Sequence, residues 1–192
     1  MYRKGNKELE ILNLYTSNYN KQLYLREISK LTKIPLKTIQ NTLQNLEREN
    51  ILKSLIKGKN KYFRLNRDNI QTKFCLLQAE IYKTLLFAQK YPLFKIFLKE
   101  IKSNNTLIAF GSFAKFKADK DSDLDLLIIS IDEEKIPSHL IPNNVHNIEL
   151  TESSFIKSLE KQEILIKEIE ENHVILNNHS FYVNTMWGYY GK

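Results

Sequence analysis

The chain has 192 residues, 42% hydrophobic and 11% aromatic, with a formal net charge of +7. That size accommodates one medium domain or two small ones, and the apolar content excludes a disordered chain. No apolar run approaches the roughly 18 residues a membrane-spanning helix needs, residues 1–5 lack the apolar core of a signal peptide, and the single Cys75 excludes an internal disulfide and fits a reducing cytoplasm.

The charge is unevenly spread. Residues 1–73 hold 16 Lys/Arg against 6 Asp/Glu, a net of +10, whereas residues 74–192 hold 13 against 16, a net of −3. A basic front beside a mildly acidic back predicts two modules with different partners, the first a binder of polyanions.

Leu9, Ile11, Leu12, Leu14 and Tyr15 predict a first helix, and Leu25, Ile28, Leu31 and Ile34 a shorter second one. Pro35 breaks that helix or opens the next. Ile39, Leu43, Leu46 and Ile51 mark a third, whose other face carries Lys37, Thr38, Gln40, Asn41, Gln44 and Asn45. Segments 52–57 and 61–65 then read as strands around Gly58-Lys59-Asn60, a hairpin with lysines at its tip. Three helices followed by a basic hairpin resemble the winged helix-turn-helix DNA-binding domain. The resemblance implies a duplex-DNA partner, with Lys37, Thr38, Gln40, Asn41, Gln44 and Arg48 on a groove-facing helix. Lys57, Lys59 and Lys61 would lie on the wing against the backbone. Protein or RNA docking is an alternative use of the same fold, and the polar face of the third helix is otherwise simply solvated.

Residues 68–102 predict two helices, about 69–90 and 93–102, parted at Pro92. Their aromatics, Phe74, Tyr82, Phe87, Phe94 and Phe97, are expected in a core or dimer contact, and Cys75 as a small core residue. In winged-helix proteins the helix after the wing often mediates dimerisation, which implies a homodimer.

Thr106-Leu107-Ile108-Ala109-Phe110 reads as a strand closed by the small-residue turn Gly111-Ser112. Asp123-Leu124-Asp125-Leu126 opens the next strand. Residues i and i+2 of a strand point the same way, so Asp123 and Asp125 aim into one space. Paired carboxylates repel unless a proton or cation lies between them, and oxygen donors select Mg²⁺ or Mn²⁺ over zinc. Backbone N–H groups at the turn suit phosphate oxygens. A third strand is expected at 145–150, then a helix capped at Thr151 and covering 155–171, a strand at 174–176, and an aromatic tail at 187–191. The four histidines, His139, His146, His173 and His179, lack metal spacing and are expected at the surface.

The Gly-Ser turn and the spaced Asp-Leu-Asp resemble the nucleotidyltransferase superfamily related to DNA polymerase beta. The run Gly111-Ser112-Phe113-Ala114-Lys115, with Ser122 ahead of the acids, is similar to its minimal branch. Phe116 stands where that branch places Gly; if the position needs positive φ, Phe fits poorly there and a reshaped loop is expected. The resemblance implies an α+β protein with an N-terminal winged helix-turn-helix (1–67), a helical linker (68–102) and a C-terminal mixed-sheet nucleotidyltransferase domain (103–192). It implies a two-metal site, with Mg²⁺ or Mn²⁺ held by Asp123, Asp125 and a third carboxylate that also helps deprotonate the acceptor hydroxyl, for which Glu149 is the candidate; a solvent-facing strand glutamate is the alternative. Gly111, Ser112, Lys115 and Ser122 would bind a nucleoside triphosphate, ATP first among them, with Lys117 and Lys120 close by. The implied activity is nucleotidyl transfer to an acceptor the motif does not name, with a small helical toxin as one possible partner in this branch. The alternative is a winged-helix regulator whose nucleotidyltransferase domain is vestigial or senses nucleotide.

Overall fold

The computed structural model describes residues 6–130, 136–141 and 143–191, so segment 1–5, read above against a signal peptide, lies outside it. Contacts divide the chain into two units, Met1–Ala79 with Tyr190–Lys192, and Glu80–Tyr189.

In the first unit the order is α1 (Lys7–Leu12), β1 (Leu23–Tyr24), α2 (Leu25–Thr32), α3 (Leu36–Arg48), β2 (Leu52–Lys57) and β3 (Asn60–Leu65). Asn6 starts α1 by accepting hydrogen bonds from the N–H groups of Glu8 and Leu9. Lys33, at φ 59°, ends α2, and Pro35 precedes the first turn of α3. Ile11, Ile28, Ile39, Leu43 and Leu46 are buried together with Leu52, Phe63 and Leu65. Ile34 and Ile51, which periodicity assigns to helices, are buried in the turns that follow α2 and α3. The antiparallel sheet has the order β1-β3-β2. Its hairpin turns on Gly58 at φ 59°, with Lys57 opposite Asn60, the positive φ a tight hairpin turn demands. Strand β1 has only two residues, too few for any periodicity, and exists because β3 pairs with it.

Helix α4 (Ile70–Lys90) begins in the first unit and ends in the second, so the expected linker 68–102 is divided between them. Cys75 is half-buried rather than a core residue, and burial pushes its thiol pKa up; Phe74 is exposed.

The second unit continues with α5 (Phe94–Glu100), β4 (Thr106–Phe110), α6 (Gly111–Ala114), β5 (Leu124–Ser130), a 3-10 turn (Ser138–Leu140), β6 (Val145–Thr151), α7 (Glu152–Glu160), α8 (Ile164–Glu171), β7 (Val174–Asn177) and α9 (His179–Gly191). The mixed sheet has the order β6-β5-β4-β7; β4 runs antiparallel to β5 and β7, and β5 parallel to β6. Leu107, Ala109, Leu124, Leu126 and Ile128 join Phe87, Phe94, Phe97 and Phe113 in one core. Ile108, Leu127 and Ile129, of the opposite parity, are equally buried. Covering both faces is what makes the central strands continuously apolar.

Thr151 caps α7 by accepting from the Ser154 N–H. The expected single helix over 155–171 is two, because Gln162 takes φ 54° and its side chain donates to the Leu159 carbonyl. Segment 187–191 is the last part of α9 rather than a tail. No helix among the described residues is long and apolar enough to cross a membrane.

Inside this unit the Glu80 carboxylate, fully buried on α4, lies 2.9 Å from His173 Nε2 and 2.9 Å from Lys83 Nζ. The other ring nitrogen of His173 lies 2.8 Å from the Ile169 carbonyl. His173 is therefore a buried structural group, not the surface residue its loop position suggests. Burial pushes the Glu80 pKa up, but the charges and hydrogen bonds of His173 and Lys83 outweigh it and bring it down to about 2. Thr84 Oγ1 donates to the Ile175 carbonyl at 2.5 Å, tying α4 to β7 at a second point.

Candidate nucleotide and metal site

Strand β4 delivers the Gly-Ser turn to the pair of acids. Its last residue, Phe110, is the register partner of Asp125 across the antiparallel ladder. Gly111 follows with φ 64°, and a Cβ there would sit 2.2 Å from Asp125 Oδ2. Glycine is required twice over, by the left-handed backbone and by the carboxylate pressed against it.

The single helical turn α6 is anchored by Phe113, whose ring lies 4.9 Å from Tyr91, 5.3 Å from Phe94 and 6.3 Å from Phe87, centroid to centroid. That packing fixes the direction of the opening N–H groups of Gly111 and Ser112, which have no acceptor within their own turn. Ser112 is half-buried, its side chain between core and solvent.

Phe116 does take the left-handed conformation, at φ 55°. The position keeps the geometry that favours glycine, at a cost of roughly 1–2 kcal/mol for a residue with a Cβ. The ring packs against the core, and the carbonyl accepts from Lys90 Nζ; both offset that strain. Beyond it, Ser122 Oγ donates to Asp119 Oδ1 at 2.9 Å and accepts from the Asp119 N–H at 3.0 Å. The Ser122 hydroxyl thus closes the loop. The bond from the Ser122 hydroxyl, with that from the Asp121 N–H, holds the Asp119 carboxyl below its usual pKa. Asn143 Nδ2 donates to the Ser122 carbonyl at 2.9 Å, and the Leu124 N–H to the Asn144 carbonyl at 2.8 Å, which set the start of β5.

Asp123 immediately precedes β5 and Asp125 is its second residue; their side chains are 41% and 34% exposed. Both face His146 of the neighbouring strand. Its Nε2 lies 3.9 Å from Asp123 Oδ2 and its Nδ1 3.7 Å from Asp125 Oδ1. The carboxylates therefore share one space, as their spacing predicts, with an imidazole that the sequence leaves at the surface.

The register separates Glu149 from them. Asp125 pairs with His146, and Glu149 pairs with Ile128, three residues on. Paired residues share a face and successive residues alternate. Glu149 therefore lies on the side of Leu124, Leu126 and Ile128, opposite the two aspartates. Lys115 Nζ is 3.4 Å from Glu168 Oε1, both exposed, and Lys117 and Lys120 are exposed in the same loop.

Among the described residues no three His, Cys, Asp or Glu are gathered closely enough to hold a metal ion. The donor chemistry nonetheless fits one class: Mg²⁺ and Mn²⁺ are commonly held by one or two carboxylates, the remaining ligands being substrate phosphates and water. Asp123 and Asp125 would hold such an ion, beside the N–H groups of Gly111 and Ser112.

In the first unit, Lys37, Gln40, Asn41, Gln44 and Arg48 are exposed along α3, and Thr38 is half-buried. Positions 37, 40, 41, 44 and 48 recur at helical spacing and form one stripe. Arg48 donates to the Asn45 side chain. Lys61 is paired with Glu47 at 2.8 Å; bonds from Lys61 and Ser54 hold the Glu47 carboxyl below its usual pKa. Lys57 donates to Gln22 Oε1 at 2.7 Å, and Lys59 is exposed at the turn.

Residues 93–179, from α5 to the start of α9, match the family model of the nucleotidyltransferase domain. The match supports nucleotidyl transfer, in general terms, as the class of activity of this stretch. Neither the curated proteins nor the solved structures give a significant match to the chain.

Proposed function

We propose that the chain is a DNA-binding nucleotidyltransferase. In this reading the second unit takes a nucleoside triphosphate, ATP first among the candidates, with Mg²⁺ or Mn²⁺ at Asp123 and Asp125. The observation that carries it is the apposition of Gly111 and Asp125, which puts phosphate-binding N–H groups beside a carboxylate pair.

The protein's part is positioning. Gly111 and Ser112 N–H groups would bind the terminal phosphates, and Asp123 and Asp125 would hold the cation. The ion, when bound, neutralises phosphate charge and lowers the barrier to attack by an acceptor hydroxyl. The acceptor hydroxyl gives its proton to solvent water as its oxygen forms a bond to the α-phosphorus, the bond from that phosphorus to the α–β bridging oxygen breaks, and pyrophosphate leaves.

The first unit, read as a winged helix, supports duplex binding through the exposed stripe of α3 and the lysine-bearing hairpin. Its basic balance of 16 Lys/Arg to 6 Asp/Glu over residues 1–73 favours a polyanion. A homodimer is part of the same reading.

Calorimetry of the full chain with each nucleoside triphosphate, in Mg²⁺ and in EDTA, tests the central claim. Mg²⁺-dependent binding, lost in Asp123→Asn/Asp125→Asn with the fold intact, is expected. Absence of binding overturns it. One observation favours a second reading, a regulator that senses nucleotide without turning it over: no third acid joins the pair on its face of β6. Mg²⁺-dependent release of pyrophosphate would eliminate that reading.

A further inference from the structure

We infer that His146 is the third donor of this site, and that it shifts the site's metal preference from Mg²⁺ toward Mn²⁺ and Co²⁺. The inference rests on the proposed function and names its metal chemistry.

Strand β6 presents only a few residues to the carboxylates. The parallel register aligns His146 with Asp125, Ile148 with Leu127, and Leu150 with Ile129. Of those three β6 residues two are apolar and half-buried, which leaves His146 as the one polar side chain there. Asn147 and Glu149 belong to the opposite parity. A donor completing the Asp123–Asp125 pair from this strand is therefore an imidazole.

The contacts agree with that placement. Each ring nitrogen faces a different aspartate, at 3.7 and 3.9 Å, so the ring spans the space between the carboxylates. Because different nitrogens face the two aspartates, no one nitrogen is gathered with both carboxylates, consistent with no three-donor set among the described residues. With 69% of its side chain exposed, His146 is not held to one rotamer by packing. An ion carried in with the triphosphate can draw one nitrogen toward it.

Ligand type then sets selectivity. Carboxylate, phosphate and water oxygens suit Mg²⁺, which takes imidazole poorly; Mn²⁺ and Co²⁺ accept nitrogen and rank by the Irving–Williams order. Two carboxylates and one imidazole would hold these ions more tightly than Mg²⁺ in the presence of the same nucleotide.

The test measures metal binding, not turnover. The full chain with ATP is titrated with Mn²⁺, followed by the electron paramagnetic resonance of free Mn²⁺, and with Mg²⁺ by calorimetry. Wild type, His146→Ala, His146→Asp and Asp125→Asn are compared. Wild type is expected to bind Mn²⁺ more tightly than Mg²⁺ and to show ¹⁴N modulation in pulsed spectra. His146→Ala is expected to lose the modulation and the preference for Mn²⁺, with Mg²⁺ affinity nearly unchanged. His146→Asp is expected to recover affinity and to favour Mg²⁺. Unchanged Mn²⁺ binding and retained modulation in His146→Ala, with both metals lost in Asp125→Asn, would overturn the role of His146 and leave the proposed function standing. No metal-dependent nucleotide binding in wild type would overturn both.

Discussion

Gly111 and Asp125 share a space that holds only one of two things, a carboxylate oxygen or a methyl group: a Cβ on Gly111 would meet Asp125 Oδ2 at 2.2 Å. The antiparallel pairing of Phe110 with Asp125 enforces this closeness, because it carries the first residue of the turn past the acid. In the proposed reading, the amides that would meet phosphate and the oxygen that would meet a cation are thus separated by less than a side chain.

Gly111→Ala is therefore expected to damage the site more than the fold. The alanine must hold φ near 64° and displace Asp125, which is half exposed and can swing outward. The backbone strain is about 1–2 kcal/mol, a thermal shift of a few degrees, while Mg²⁺-dependent nucleotide binding should fall below detection. Melting by circular dichroism and calorimetry measure the two effects separately; full nucleotide affinity in this variant would contradict the geometry.

Glu149→Gln is expected to leave metal-dependent nucleotide binding unchanged within about twofold, and stability within ~0.5 kcal/mol. The side chain is exposed on β6, on the sheet face away from Asp123 and Asp125. Loss of binding equal to that of Asp125→Asn, measured in the same calorimeter, would show that the strand is read in the wrong register.

Glu149 also shows where the sequence stops being legible. An acid flanked by Ile148 and Leu150 has the pattern of a third ligand, and periodicity correctly places it on a strand. Its face, however, depends on register, and a one-residue change of partner turns every side chain over. The pairing of Leu124 with Val145 sets that register, and nothing local encodes it. His173 fails for a related reason: it is buried because Glu80, 93 residues earlier, supplies its partner. His146 is exposed, as expected, and gains its carboxylate neighbours across strands. What was legible is local: the strand at 106–110 and its glycine turn, the break at Pro92, the cap at Thr151, and the i, i+2 aspartates that share a space. The division of α7 from α8 was not, since Gln162 in a left-handed conformation has no signature in an otherwise helical run.

On the proposed DNA surface, the structure ranks the lysines that the sequence leaves equal. Lys61 is committed to Glu47 at 2.8 Å, whereas Lys37 and Lys59 are exposed. Lys37→Ala and Lys59→Ala are each expected to reduce the slope of log affinity against log salt by about one. Lys61→Ala should change it less, because Glu47 already neutralises that charge. Fluorescence anisotropy with a labelled duplex at several salt concentrations measures this. Equal effects from all three lysines would contradict the ranking.

The buried Glu80 gives the second unit a defined acid sensitivity. Its carboxyl has a folded pKa of about 2, against roughly 4.3 in an unfolded chain. A depressed folded pKa contributes stability that is fully present above the unfolded value and is lost as pH falls toward the folded one. The second unit should therefore weaken progressively between about pH 4.5 and pH 2. Glu80→Gln removes the charge that compensates His173 and Lys83, both within 3 Å of it. Breaking a buried pair from one side costs about 3–5 kcal/mol, on the order of 10 °C in melting temperature. The same substitution should flatten the acid limb of the stability curve, since the titrating group is gone. Denaturant melts of wild type and variant at intervals from pH 7 to pH 2.5 test both parts. Parallel pH profiles for the two proteins would show that another carboxylate governs the acid response.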